Sequence, residues 1–197
     1  TPFDGLANGD VNLMSSKSGA FNTKLTVQSL RILDQTWGDL ALALGQTAAG
    51  PLDIDLRLES EDTALKAAGY YSADANAPEL NFLAEIQKFD LSSIERLSMG
   101  QLKNTKGQLQ GRISIAGDPK KPDIEGELKF VNTSFTPTAV NTEFILEDEI
   151  ITIENDKILL PNFRIKDREN NLAKIDGEII SQQFQDFKLR LNLNATN

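Results

Sequence analysis

In the stretch Gly107-Gln-Leu109-Gln-Gly111-Arg-Ile113-Ser-Ile115-Ala-Gly117, large apolar residues and glycines share one parity, and polar residues hold most of the other. Pro122-Asp-Ile124-Glu-Gly126-Glu-Leu128 repeats the pattern. Strict alternation of this kind builds strands with one apolar and one wet face. Glycine on the apolar parity weakens a strand, so it predicts a sheet that bends or a neighbour that approaches closely. Ile124-Glu-Gly126-Glu-Leu128 is echoed by Ile175-Asp-Gly177-Glu-Ile179, which points to a repeating β architecture.

The same alternation runs through most of the chain. Phe21, Leu25 and Val27 alternate with Asn22, Lys24 and Thr26, and Leu40, Leu42 and Leu44 with Asp39, Ala41 and Ala43. In Leu52-Asp-Ile54-Asp-Leu56-Arg-Leu58-Glu, four apolar residues oppose four charges. Leu80, Phe82, Ala84 and Ile86 form another run, followed after the Gly-rich strands by Phe130, Phe144 and Leu146, Ile151 and Ile153, Ile158 and Leu160, and Phe163 and Ile165. Phe187, Leu189, Leu191 and Leu193 close the series. Asn8-Gly9-Asp10, Ala49-Gly50-Pro51, Gly117-Asp118-Pro119, Glu147-Asp148-Glu149 and Asp167 to Asn171 read as reversals. Gaps this short favour antiparallel neighbours.

One segment departs from period two. Leu91, Ile94 and Leu97 recur every three residues, predicting a short amphipathic helix over 90–99. Ser92 with Glu95 can form a capping box, or Asp90 can cap directly, and Gly100 can close the helix. The expected organisation is a single β domain, with β stretches over 1–89 and 107–193 and the helix between them.

A one-faced antiparallel sheet must hide its apolar face, and the residues leave two completions open. A closed sandwich or barrel would pack two inner faces together. A sheet curled into a groove would keep an apolar interior for a ligand. Aromatic residues are only 7% of the chain, and the apolar parity is mostly Leu and Ile with Gly and Ala, which suits the groove. The helix would plug one end of the core and cover a sheet edge, or gate the groove.

Charge and composition narrow the function. The formal charge of −9 disfavours nucleic acid and anionic membrane surfaces as partners. No histidine and no cysteine are present, which removes the commonest general base, the commonest metal ligand and any disulfide. No cofactor, metal site or catalytic residue is expected. Asp53, Asp55 and Glu59 share a strand face and could on paper make a glycosidase-like pair, but solvated outer charges explain them better. Asp167-x-Glu169-x-Asn171 faintly resembles a calcium loop, lacks its Gly and distal Glu, and reads better as a hairpin turn. Trp37 beside Gly38 reads as packing near a bulge. The segment shows no leader-like start and no apolar run near the roughly 20 residues that span a bilayer. It is expected to be a soluble piece of a longer chain.

Taken in order, Leu91-Ser-Ser-Ile94-Glu-Arg-Leu97, Gly107 to Gly117, Lys121-Pro122 to Leu128, Asn141-Thr-Glu-Phe144-Ile-Leu146, Phe163-Arg-Ile165-Lys-Asp167 and Ile175-Asp-Gly177-Glu-Ile179 resemble the C-terminal region of the TamB family, within the AsmA-like group of Gram-negative envelope proteins. The style is closest to Bacteroidetes members, and the likeness covers about Asp90 onward. Asn170-Asn171 departs from the expected Gly-Asn, a change that affects turn type only, because Asn tolerates the left-handed region. The resemblance implies a "β-taco", a U-shaped sheet with an apolar interior. It implies a periplasmic segment of a protein anchored in the inner membrane, which shields phospholipid acyl chains in transit between membranes. It also implies a role in outer-membrane biogenesis with a TamA-like partner of the Omp85 type. On that reading the groove is lined by Leu52, Ile54, Leu56, Leu58, Leu80, Phe82, Ile113, Ile115, Ile124, Leu128, Phe130, Phe144, Leu146, Ile151, Ile153, Phe163 and Ile165, with Leu91, Ile94 and Leu97 as a possible plug. The alternatives are a closed-core structural or adhesin-like domain and, more weakly, a carboxylate-using carbohydrate-active enzyme.

Overall fold

The computed structural model describes residues 3–13, 20–32, 35–47, 50–74, 76–182 and 185–196. It describes their side chains except those of 3–13, 96–97, 182, 185–186 and 196. The fold is mainly β and antiparallel, as the alternation predicts. It divides into two compact units, Thr1–Gln87 with Ser114–Asp123, and Lys88–Ile113 with Ile124–Asn197.

The first unit is a meander of β1 (Phe3–Leu13), β2 (Phe21–Ile32), β3 (Gln35–Gln46), β4 (Leu52–Glu59), β5 (Thr63–Ser72) and β6 (Glu79–Asp90), paired in chain order. Its register stacks apolar residues in rows. Leu25 pairs with Leu42, Leu42 with Leu56, and Leu56 with Ala67. Val27, Leu40, Leu58 and Leu65 make the next row. The expected reversal at Asn8-Gly9-Asp10 does not occur, because β1 runs straight through it with Gly9 opposite Leu25. A glycine paired inside a ladder needs no turn. Ala49 lies outside the described residues.

The second unit contains α1 (Ser92–Leu97), β7 (Leu102–Gly117) as far as Ile113, β8 (Asp123–Pro137) from Ile124, β9 (Phe144–Leu146), β10 (Ile150–Glu154), β11 (Lys157–Asp167), β12 (Leu172–Gln182) and β13 (Gln185–Thr196). Its strand order is β7-β8-β10-β11-β12-β13, with β9 bridging β8 and β11. Gly117-Asp118-Pro119, Glu147-Asp148-Glu149 and Asp167 to Asn171 lie at strand junctions, as expected. Asn170 takes the left-handed conformation its residue type tolerates (φ 65°).

The helix is shorter than predicted and is capped differently. No side chain caps its N-terminus in the usual way, and no capping box forms. The Asp90 carboxylate accepts from the Ser92 N–H at 2.9 Å and from the Ser92 hydroxyl at 2.7 Å. Glu95 turns away and accepts from the Thr105 N–H at 2.9 Å, pinning the helix to β7. At the C-terminus the Ser98 N–H reaches back to Ile94 and Glu95, and Met99 and Gly100 follow at positive φ.

In β2, β11, β8 and β7 the apolar phase changes midway, each time at a left-handed residue that is not glycine. In β2 the apolar parity is odd at Leu25 and Val27 and even at Leu30 and Ile32, with the register slipping at Ser29 (φ 52°). In β11 it is even at Ile158 and Leu160 and odd at Phe163 and Ile165, with the slip at Asn162 (φ 51°). Asn132 (φ 47°) divides Leu128 and Phe130 from Thr133 and Phe135 in β8. Asn104 (φ 53°) divides Leu102 from the run that starts at Gly107 in β7. A β-bulge inserts one residue, so it returns the next apolar side chain to the same face and bends the strand.

The second unit has a small dry core. Leu146, Leu160 and Phe163 are buried together, with Phe130, Phe135, Ile151, Ile165, Ile175 and Ile179 packed around them. Phe130 and Phe163 meet edge to face at 6.1 Å.

Candidate functional site

The first unit presents an apolar face built from aligned strand rows. Leu52, Ile54, Leu56 and Leu58 on β4 lie on one side, and Leu80 and Phe82 occupy one parity of β6. All six are half-buried, as are Leu25, Val27, Leu40, Leu42 and Leu44. No large apolar side chain among the described residues of this unit is fully buried. Neighbours aligned along and across the strands give each of these side chains its partial cover. Leu25, Val27, Leu40, Leu42, Leu44 and Leu65 extend this face beyond the lining residues expected from the sequence. Their alternation is the signal that marks them.

In the second unit the expected lining residues divide. Leu128, Leu146 and Phe163 are buried at 9%, 3% and 7% exposure, so their surface is spent on protein neighbours. Ile113, Ile124, Phe130, Phe144, Ile151, Ile153 and Ile165 are half-buried, as is Ile115 at the tip of β7, which belongs to the first unit. Of the possible plug residues, Leu91 is buried at 3% and its N–H donates to Gly107 O at 3.0 Å. Ile94 is half-buried. The side chain of Leu97 lies outside the described residues.

The glycines on the apolar parity mark close approach of backbone. At Gly177 (φ 149°) the Arg190 carbonyl of β13 stands where a Cβ would be, and at Gly111 (φ 150°) the Glu127 carbonyl of β8 does the same. The Ile124-to-Leu128 echo is therefore structural as well as sequential, since Gly126 faces the Arg112 carbonyl of β7.

The polar face carries the charged groups. A cleft of about 200 Å³ is lined by Ile145, Glu147, Glu149, Arg164, Lys166 and Leu172. Its charges satisfy one another. The buried Glu149 carboxylate accepts from the Arg164 N–H at 2.8 Å and from its guanidinium at 2.9 Å. Lys166 Nζ donates to Glu147 Oε1 at 2.7 Å, and that bond holds the Glu147 carboxyl below its usual range. Lys157 and Arg190 lower Glu178 in the same way. Asp167 is lowered first by the Asn171 side-chain amide, and it also accepts from the backbone N–H groups of Asn171 and Glu169. Its oxygens therefore serve the hairpin turn. Asp55 pairs with Arg57 at 3.1 Å on an exposed face, and Asp53 and Glu59 are exposed. Trp37 packs half-buried beside Gly38 at the slipped register of β2 and β3.

Among the described residues no cluster of carboxylates could hold a metal ion, and no helix is long and apolar enough to cross a membrane. What this arrangement can do chemically is present apolar surface without directional contacts. No family model, curated protein or solved structure matches the chain.

Proposed function

We propose that the half-buried apolar face of the first unit is a lipid-binding surface, and that the chain is a periplasmic segment of a TamB-like conduit that shields phospholipid acyl chains between the two membranes. The observation that carries this reading is the first unit itself. Its leucine rows are aligned strand to strand, yet among the described residues none of its large apolar side chains is buried. Burying an acyl chain there gains roughly 0.8 kcal/mol per CH₂ and needs no specific donor or acceptor. Ordering the chain offsets part of the gain. The role is binding, not catalysis, since the carboxylates serve turns, ion pairs and the outer face. An Omp85-type partner and a role in outer-membrane biogenesis belong to the same proposal. The packed cluster of Leu146, Leu160 and Phe163 favours a second reading for the second unit, a structural module with a closed core.

Native mass spectrometry of the purified chain mixed with phosphatidylethanolamine vesicles tests the proposal. Bound phospholipid is the expected result. A chain that stays folded, emerges free of lipid and leaves a fluorescent fatty-acid probe unbound would overturn it.

A further inference from the structure

The apolar rows of the first unit are interrupted on β5. Leu56 stands opposite Ala67 and Ile54 opposite Gly69, whereas Leu58 stands opposite Leu65 and Leu52 opposite Tyr71. Residues directly opposite share a face, so two small residues lie between two large ones along β5. At Gly69 the Asn81 carbonyl and the Phe82 Cα of β6 crowd the place of a Cβ, so β6 stands close and no side chain rises there. Carried two residues further, the antiparallel pairing sets Ala84 beside Ala67. The face therefore has a hollow floored by Ala67, Gly69 and Ala84, all half-buried. Ile54 and Leu56 wall it on β4 and Phe82 on β6, with Leu65 and Tyr71 at its two ends. Adjacent strands about 4.8 Å apart make a floor wide enough for one unbranched hydrocarbon chain.

The charge around this hollow is one-sided. Residues 52–87 carry 8 Asp and Glu against 2 Lys and Arg, so −6 of the formal −9 falls on β4, β5, β6 and their turns. One of the two cations, Arg57, is paired with Asp55 at 3.1 Å. Glu61 and Asp62 lie in the turn from β4 to β5, Asp74 lies just beyond β5, and Glu79 opens β6, so both ends of the hollow carry acidic groups. The field of this stretch repels an anion and attracts an ammonium. We infer, on the lipid reading above, that the hollow seats one acyl chain of a phospholipid whose headgroup is zwitterionic and ends in an ammonium. The acidic groups around it turn anionic phospholipids away.

Two photo-activatable phospholipids with the same acyl chains, a phosphatidylethanolamine and a phosphatidylglycerol, are offered to the protein in phosphatidylcholine vesicles. Labelling by the ethanolamine lipid should exceed labelling by the glycerol lipid about fivefold at low salt, and the ratio should fall toward one in about 1 M salt. The labelled residues should lie on β5 and β6. Ala67→Leu adds apolar surface but fills the hollow, and it should lower labelling about fourfold. Ala68→Leu is the matched control, because Ala68 is exposed on the other parity, opposite Asp55, and it should label like the parent. Circular dichroism and urea midpoints check that both variants stay folded. Equal labelling by the two lipids at low salt, labels confined to other strands, or a folded Ala67→Leu that labels like the parent each overturns the inference and leaves the lipid reading standing. Labelling by neither lipid overturns both. The headgroup ratio and the label positions are read on the parent protein, so they decide the outcome even where Ala67→Leu does not fold.

Discussion

The backbone N–H of Asn162 donates to the Asp176 carboxylate at 2.7 Å, across the step where β11 changes its apolar phase. The same device occurs in the first unit, where the Ser29 N–H donates to Asp39 Oδ1 at 2.8 Å. A bulged residue loses its ladder partner, and an aspartate on the next strand replaces it. Asp176→Ala should therefore destabilise the chain by about 1 kcal/mol, less than a buried charge-assisted bond because this one is exposed. Asp176→Asn, which keeps an acceptor, should cost less. Asn162→Val should cost more than Asn162→Gly, since a β-branched residue at positive φ adds roughly 1–3 kcal/mol of strain. Urea unfolding midpoints measure all four, and equal midpoints for the Val and Gly variants would refute the bulge argument.

Gly177→Ala should be among the most damaging single methyl additions in this chain. The Arg190 carbonyl occupies the Cβ position, and φ is 149°. Backbone strain and overpacking together predict a loss of about 2–5 kcal/mol. Gly45→Ala is the matched control, with nothing within 4 Å of the place its added methyl would take and no positive φ. It should be neutral or stabilising by up to about 1 kcal/mol through the unfolded chain. Thermal unfolding of the pair separates close approach from general intolerance of substitution in strands.

Alternation made the strands, their antiparallel order and most of the apolar face legible. It could not locate the phase changes, because Leu25 and Val27 followed by Leu30 and Ile32 look like two short runs until a bulge joins them. Ser29, Asn132 and Asn162 are ordinary polar residues in a linear reading, and only their positive φ shows that each keeps a strand on one face. The Asn8-Gly9-Asp10 expectation failed for the converse reason, since turn chemistry was present but the pairing of β1 with β2 overrode it. The capping box failed because Glu95 had a tertiary partner, the Thr105 N–H, that local sequence does not reveal. The face was readable as a stripe, but which part of it packs dry depended on the contacts of Leu160 with Leu146 and Phe163.

Stability should fall on both sides of a flat middle range. Glu147, Glu178 and Asp167 have folded carboxyl pKa values below their ordinary 4.5, 4.5 and 3.8. Such groups stabilise the fold fully above those values, and the contribution is lost as pH falls through the lower folded values. Tyr70 is shifted the other way, because its hydroxyl donates to the Glu79 carboxylate and its pKa rises above 10.0. Its contribution is present below 10.0 and is lost as pH rises through the folded value. Without histidine, the midpoint should be nearly constant between about pH 5.5 and 7. Denaturation midpoints across the range check this, and a steep step inside the flat window would contradict it.

Leu56→Asp and Leu160→Ala should separate the open face from the dry core. Leu56 is half-buried, flanked by Leu42 and Ala67 in register. A carboxylate placed there keeps contact with water, so it avoids the cost of an unpaired buried charge. The variant should fold with a modest loss, and it should take up less of a photo-activatable phospholipid, because a charge on the acyl path must be desolvated. Leu160 is 8% exposed and packs with Leu146 and Phe163. Leu160→Ala should cost about 2–5 kcal/mol as a cavity, and it should leave lipid labelling of the first unit unchanged wherever the chain stays folded. If Leu56→Asp unfolds as readily as Leu160→Ala, the first unit is covered in solution and its face is a core. If Leu56→Asp folds and labels like the parent chain, the face is open but is not the path of the lipid.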